Sequence, residues 1–100
     1  MRLTPFEKES IIESLKKEIG PEFFELYLFG SRTDVQKKGG DIDLLILAQD
    51  LTKIPPKHRL ILAIIRIIGE QKIDLVIEEK SAARQNPFVA HILSQCLRLH

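Results

Sequence analysis

Apolar residues along this chain follow two rhythms, and the switches between them lay out the elements. From residue 6 to 19 they recur at helical spacing, as Phe6, Ile11, Ile12, Leu15 and Ile19, with Lys and Glu filling the other face. The start is marked chemically. Thr4 is placed to cap, Pro5 suits the first helical position, and Glu7 stands three residues beyond Thr4 as in a capping box. Gly20-Pro21 stops the helix. Residues 23–29 then form a continuous apolar run with the length and bulk of a buried strand, ending at Gly30-Ser31. A polar connector follows: a short helix over 32–36 opening at Ser31, then the loop Lys37-Lys38-Gly39-Gly40. A second strand runs over 41–47, beginning Asp41-Ile42-Asp43.

The second half repeats the alternation. A loop over 49–56 ends in Pro55-Pro56, a pair that opens helices and does not sit inside them. Residues 57–68 are apolar on nearly all sides, interrupted by His58, Arg59 and Arg66. Their β-branching would suit a strand, but the length between two prolines and Gly69 predicts a helix, either deeply buried or part of an interface. Residues 73–77 read as a third strand with one carboxylate, Asp74, inside it. Residues 81–84 suit a turn of helix. Asn86 caps a last helix opened by Pro87, whose apolar face is Phe88, Val89, Ile92 and Leu93. The residues after it, 95–100, leave the helix and offer a short edge strand.

Connection lengths then set the topology. Strands two and three are separated by a helix of crossover length, which makes them parallel. The first strand pairs antiparallel with the second. The fold class is therefore α/β (α+β): a small three-stranded mixed sheet with helices packed on it and an extra C-terminal edge strand. One hundred residues predict a single domain over 1–100. An apolar fraction of 44% with 29% charged residues is ordinary for a soluble globular protein. A net charge of +1 gives no electrostatic case for direct nucleic-acid or membrane binding. The single cysteine, Cys96, allows no internal disulfide and no zinc spacing, and reads as a small buried hydrophobe. The first ten residues lack the apolar core of a signal peptide. The apolar stretch 60–68 is broken by Arg66 and too short to span a bilayer. A cytoplasmic location is the resulting expectation.

The chemistry concentrates at one end of the predicted sheet. Asp41 and Asp43 share a face of their strand, because side chains alternate with period two. Two unit charges about 4 Å apart repel by roughly 4 kcal/mol at an effective dielectric of about 20, so a cation between them is the economical explanation. The parallel crossover brings Asp74 beside them. Three carboxylates so arranged suit Mg²⁺, which takes oxygen ligands and leaves positions for water and phosphate. Two such ions about 4 Å apart can activate an attacking oxygen and neutralise a leaving one. At the end of the first strand, Gly30 lets a phosphate approach the backbone, and Ser31 with nearby amides at a helix opening donates to it.

Gly30-Ser31, nine residues, then Asp41-Ile42-Asp43 in an apolar strand resembles the signature of the polymerase-β-like nucleotidyltransferases, and most closely the single-domain minimal nucleotidyltransferases. The resemblance extends over nearly the whole chain, including Asn86-Pro87 with Ile92-Leu93 as the terminal helix. It implies that Gly30 and Ser31 grip a nucleoside triphosphate, that Asp41 and Asp43 bind two Mg²⁺ ions, and that Asp74 binds one of them and helps deprotonate the acceptor. The implied reaction transfers a nucleoside monophosphate, AMP from ATP, to a hydroxyl with release of pyrophosphate. Two departures stand out: Thr33-Asp34-Val35 replaces the usual Ala-Arg-Gly of the connector, and Cys96 stands where relatives often carry glycine.

One hundred residues leave no room for an acceptor-holding domain, so the expectation is that a partner or another subunit holds the acceptor. Minimal nucleotidyltransferases resemble antitoxins paired with small helical HEPN proteins, which makes a protein-modifying antitoxin the leading expectation. A non-catalytic antitoxin with a vestigial site, in a homo- or hetero-oligomer, and a small-molecule nucleotidyltransferase similar to aminoglycoside-modifying enzymes are the alternatives. Arg32 is either a phosphate contact or a solvated helix arginine. Lys37 and Lys38 read as solvated loop charges, Tyr27 as strand core. His58, His91 and His100 have no partner spacing and receive no role.

Overall fold

The computed structural model describes residues 3–30 and 42–100. In chain order its elements are helix α1 (Pro5–Ile19), strand β1 (Phe24–Phe29), strand β2 (Ile42–Ala48), helix α2 (Lys57–Ile68), strand β3 (Ile73–Glu79), helix α3 (Pro87–Leu93) and strand β4 (Leu97–Arg98). Short 3-10 turns occupy Pro21–Phe23, Leu51–Lys53 and Lys80–Gln85. The strands form one mixed sheet in the order β3-β2-β1-β4. β1 runs antiparallel to β2 and β4, and β2 runs parallel to β3. The C-terminal strand is thus an integral fourth member, and Phe23 belongs to the preceding turn rather than to β1.

Alternation along β2 divides the core in two. Ile42, Leu44 and Ile46 point to one face, where they meet Leu26 and Leu28 of β1, Leu75 of β3, Ile11 and Leu15 of α1, and Leu60 and Ile64 of α2. Leu45 and Leu47 point to the other, against Val89 and Ile92 of α3 and Ala83 of the 3-10 turn before it. Two helices therefore cover one face and α3 the other. Both faces of β2 are buried, which is why its sequence reads as an unbroken apolar run.

The helix ends obey their sequence signals. Thr4 Oγ1 accepts from the Glu7 amide at 3.0 Å, and Glu7 Oε1 accepts from the Thr4 amide at 3.0 Å, which completes the capping box. Asn86 Oδ1 accepts from the amides of Phe88 and Val89 at the start of α3. Three apolar assignments change. Phe6 is 63% exposed, because five residues of helix turn it about 140° away from Ile11. Phe88 is 57% exposed, since a seven-residue helix presents only the Val89–Ile92 stripe to the sheet. α2 is not deeply buried: only Leu60 and Ile64 are fully enclosed, while Leu62 and Ile67 stay about half exposed, because α1 and the sheet cover one side of the helix.

A charged cluster fastens β4 and the Lys80–Gln85 turn to β1. The Glu25 carboxylate accepts from Lys80 Nζ at 2.5 Å and from the Tyr27 hydroxyl at 2.7 Å, and lies 3.7 Å from the Arg98 guanidinium. Burial opposes the ionisation of Glu25, but the Lys80 and Tyr27 hydrogen bonds and the Arg98 charge outweigh it and hold its pKa below the ordinary value. Burial, together with the hydrogen bond to Glu25 and its negative charge, pushes the Tyr27 phenol up to about 12.

Two predictions follow from this packing. Ile64→Ala empties a fully enclosed site and is expected to cost about 2–5 kcal/mol in urea unfolding, whereas Leu62→Ala, on the exposed side of the same helix, costs about 0.5 kcal/mol or less. Tyr27 is the only tyrosine in a chain without tryptophan, so its ultraviolet absorbance reports its titration alone. Ionisation near 12 rather than 10 is expected. A raised folded-state pKa means that the stability it contributes is complete below the unfolded value near 10 and is lost between there and about 12.

Candidate active site

The sheet's register assembles the site. Phe29 of β1 lies opposite Asp43 of β2, and Asp43 lies opposite Asp74 of β3. Neighbouring strands are about 4.8 Å apart, and partners in register share a face, so Phe29, Asp43 and Asp74 form one row across the sheet. Asp43 alternates with the inward Ile42 and Leu44 and precedes Leu45, which puts the row on the face that carries α3. Asp43 is half-buried and Asp74 exposed. The antiparallel and parallel pairings anticipated from the connections are those observed, and they bring these two carboxylates side by side.

Gly30 turns the chain away from β1 with φ of 73°, in the left-handed region that favours glycine. A Cβ added there would fall inside the Asp43 carboxylate, 3.0 Å from Cγ and 3.3 Å from Cβ. Glycine is therefore favoured on two grounds, the left-handed backbone and the close approach of the Asp43 side chain. Of the remaining sequence candidates, Ser31, Arg32 and Asp41 lie outside the described residues, as do the connector helix over 32–36 and Lys37 and Lys38.

Among the described residues no three His, Cys, Asp or Glu side chains cluster in a way that could hold a metal ion. Asp43 and Asp74 supply two adjacent carboxylates, an all-oxygen pair that fits a hard divalent cation such as Mg²⁺ and not the nitrogen and sulfur preferences of zinc. Asp41 precedes Asp43 by two positions and is the sequence's candidate for the third donor.

Beside the row, between the end of β1 and α3, lies a cavity of about 320 Å³ lined by Phe29, Gly30, Phe88, His91, Ile92 and Gln95. Gln95 Nε2 donates to His91 Nε2 at 2.9 Å along its rim. The sequence gives His91 no partner spacing and places Phe88 on the apolar face of the last helix. The spacing of residues 88, 91, 92 and 95 along one helical stripe, apolar and polar mixed, was the available signal. The other flagged residues have structural duties. His100 Nε2 donates to the Pro21 carbonyl at 2.9 Å and its ring packs 4.7 Å from that of Phe24. The half-buried Cys96 thiol donates to the Leu93 carbonyl at 3.6 Å, and burial raises its pKa, which suits packing and not nucleophilic attack.

No curated protein matches the chain. Among solved structures, it is similar to one described as the crystal structure of a toxin–antitoxin with AMP-PNP, with a TM-score of 0.66 and 25% sequence identity over 93% of this chain and 72% of that one. Residues 8–100 match the family described as nucleotidyltransferase domain. That match takes in all the strands, most of α1 and the row of acidic residues, and the chain therefore belongs to the nucleotidyltransferase domain family.

Proposed function

We propose that this chain transfers a nucleoside monophosphate, AMP from ATP, to a hydroxyl of a partner protein, and that it serves as the cytoplasmic antitoxin of a toxin–antitoxin pair whose other member is a HEPN-type helical protein. The observation that carries the reading is the register of Asp43 against Asp74 with the Gly30 turn folded over the Asp43 carboxylate. Family membership supports the reaction class, and the likeness to a toxin–antitoxin solved with AMP-PNP supports both the nucleotide and the pairing.

In this reading Asp41, Asp43 and Asp74 hold Mg²⁺, with two ions as the working number. When bound, Mg²⁺ offsets the charge of the triphosphate and polarises the phosphoryl oxygens. The chain's own groups do the rest. Gly30 keeps side-chain bulk out of the turn, and Ser31 and the amides after it donate to the β- and γ-phosphates, with Arg32 as a further donor. Asp74, the more exposed of the two described acids, faces the acceptor and accepts the proton of its hydroxyl. The acceptor oxygen forms a bond to the α-phosphorus while the bond between that phosphorus and the bridging oxygen breaks, and pyrophosphate leaves on the Gly30 side.

A second reading, an antitoxin that acts by contact with a vestigial site, draws on the half-exposed Leu62 and Ile67 of α2, an apolar surface flanked by Arg59 and Arg66. One experiment separates the two. Labelled ATP, Mg²⁺ and the toxin partner are incubated with wild type, Asp43→Asn and Asp74→Asn. Transfer of label in wild type with a loss of about 10²–10³ in each variant is expected, the scale for removing one group aimed at transition-state charge. No transfer by wild type, with neutralisation of the partner intact, favours the contact reading.

Gly30→Ala tests the turn. The added Cβ meets the Asp43 carboxylate, and the left-handed backbone costs roughly 1–2 kcal/mol more in an alanine. Weaker Mg²⁺-ATP binding together with a lower midpoint of urea unfolding is expected. Unchanged binding would remove Gly30 from the nucleotide site.

A further inference from the structure

Two cavities of about 400 Å³ flank Glu25, Lys80 and Arg98, but those charges already satisfy one another. The cavity between β1 and α3 is different, because Phe88 and Gln95 on its wall remain exposed. We infer that this cavity is the nucleobase subsite, with the base stacked on Phe88 and its edge read by Gln95; the inference rests on the nucleotidyltransferase reading above.

Position is the first argument. The cavity includes Gly30, and Gly30 packs on the Asp43 carboxylate. A nucleotide with its phosphates along the Gly30 turn lies beside this hollow, which Gly30 itself lines. Size is the second. At about 320 Å³ the cavity stands at the low end of small-molecule sites, suited to a heterocycle and its sugar rather than to a protein segment.

Chemistry is the third. Phe29, Phe88 and Ile92 give an apolar, aromatic lining, and Phe88 leaves 57% of its surface in water although it lines the hollow. An aromatic ring so exposed gains contact area when a flat heterocycle covers it. Gln95 fixes the rim. Its Nε2 is held by His91, and its Oε1 accepts no hydrogen bond among the described residues. That free acceptor matches the exocyclic amine of adenine and opposes the carbonyl that guanine presents at the same place.

Binding of Mg²⁺-ATP, Mg²⁺-GTP and inorganic tripolyphosphate to wild type, Phe88→Ala, Phe88→Trp and Gln95→Leu tests the assignment by calorimetry. Stacking on an aromatic side chain is worth about 1–3 kcal/mol per base, so Phe88→Ala is expected to weaken ATP roughly 5- to 150-fold and leave tripolyphosphate within about twofold of wild type. Phe88→Trp keeps ATP affinity, and Gln95→Leu narrows the preference for ATP over GTP. Unchanged ATP affinity in Phe88→Ala, or an equal loss for tripolyphosphate, overturns the stacking role. An unchanged ATP-to-GTP ratio in Gln95→Leu overturns the edge reading. Wild type that binds tripolyphosphate as tightly as ATP overturns the subsite and leaves the phosphate site standing. Wild type that binds neither overturns the nucleotidyltransferase reading itself.

Discussion

The end of β1 and the start of β2 meet so closely that the Asp43 carboxylate fills the space a side chain at residue 30 would need. That contact exists only in one register. Phe29 must stand opposite Asp43, and the chain must leave β1 in a left-handed turn at the next residue. A slip of one position would exchange the faces of β2 and push Asp43 into the core with Leu26, Leu28 and Leu60, where a charge without a partner costs several kcal/mol. Because both faces of β2 are packed, the slip is opposed twice, once by each core. The precision of the site is therefore inherited from hydrophobic packing some residues away.

The same logic extends to β3. The α2 crossover makes β2 and β3 parallel, and Ile73 and Leu75 lock into the core beside Ile42 and Leu44. Asp74 is carried between them to the opposite face and lands beside Asp43. Asp74 is exposed, so water screens its charge from that of Asp43. The pair offers what a hard cation needs: oxygen donors held by strands that cannot shift independently.

Much of this was legible because strands and crossovers obey length rules. The apolar run 41–47, the prolines before α2 and the glycine after it were enough to place Asp43 and Asp74 side by side. The capping residues Thr4 and Asn86 announced two helix starts for the same local reasons that the structure uses. What did not show was how widely each apolar stripe is covered. Phe6 and Phe88 match a helical period, yet period gives direction only relative to neighbours, and a small domain has too little mass to cover every apolar side chain. Gly30 was legible as a special residue, but as an opening for phosphate; its packing on Asp43 is a contact between residues thirteen apart in the chain, visible only once the register is known.

The exposed apolar residues do not share one meaning, because the sheet separates them. Leu62 and Ile67 lie on the side covered by α1 and α2, whereas Phe88 lies across the sheet, on the face of the acidic row. A protein seated on α2 would leave the row uncovered. The row itself is closed at one end by the Gly30 turn and by β1, with β4 beyond it. Its other end is Asp74 on β3, the last strand on that side among the described residues. An in-line displacement needs its attacking and departing oxygens on opposite sides of the phosphorus. With departure at the Gly30 turn, as proposed, attack would come from the Asp74 side of the row. The order of four strands thus gives the proposed reaction a direction before any acceptor is identified, and a partner seated on α2 would lie on the other face of the sheet from Asp74.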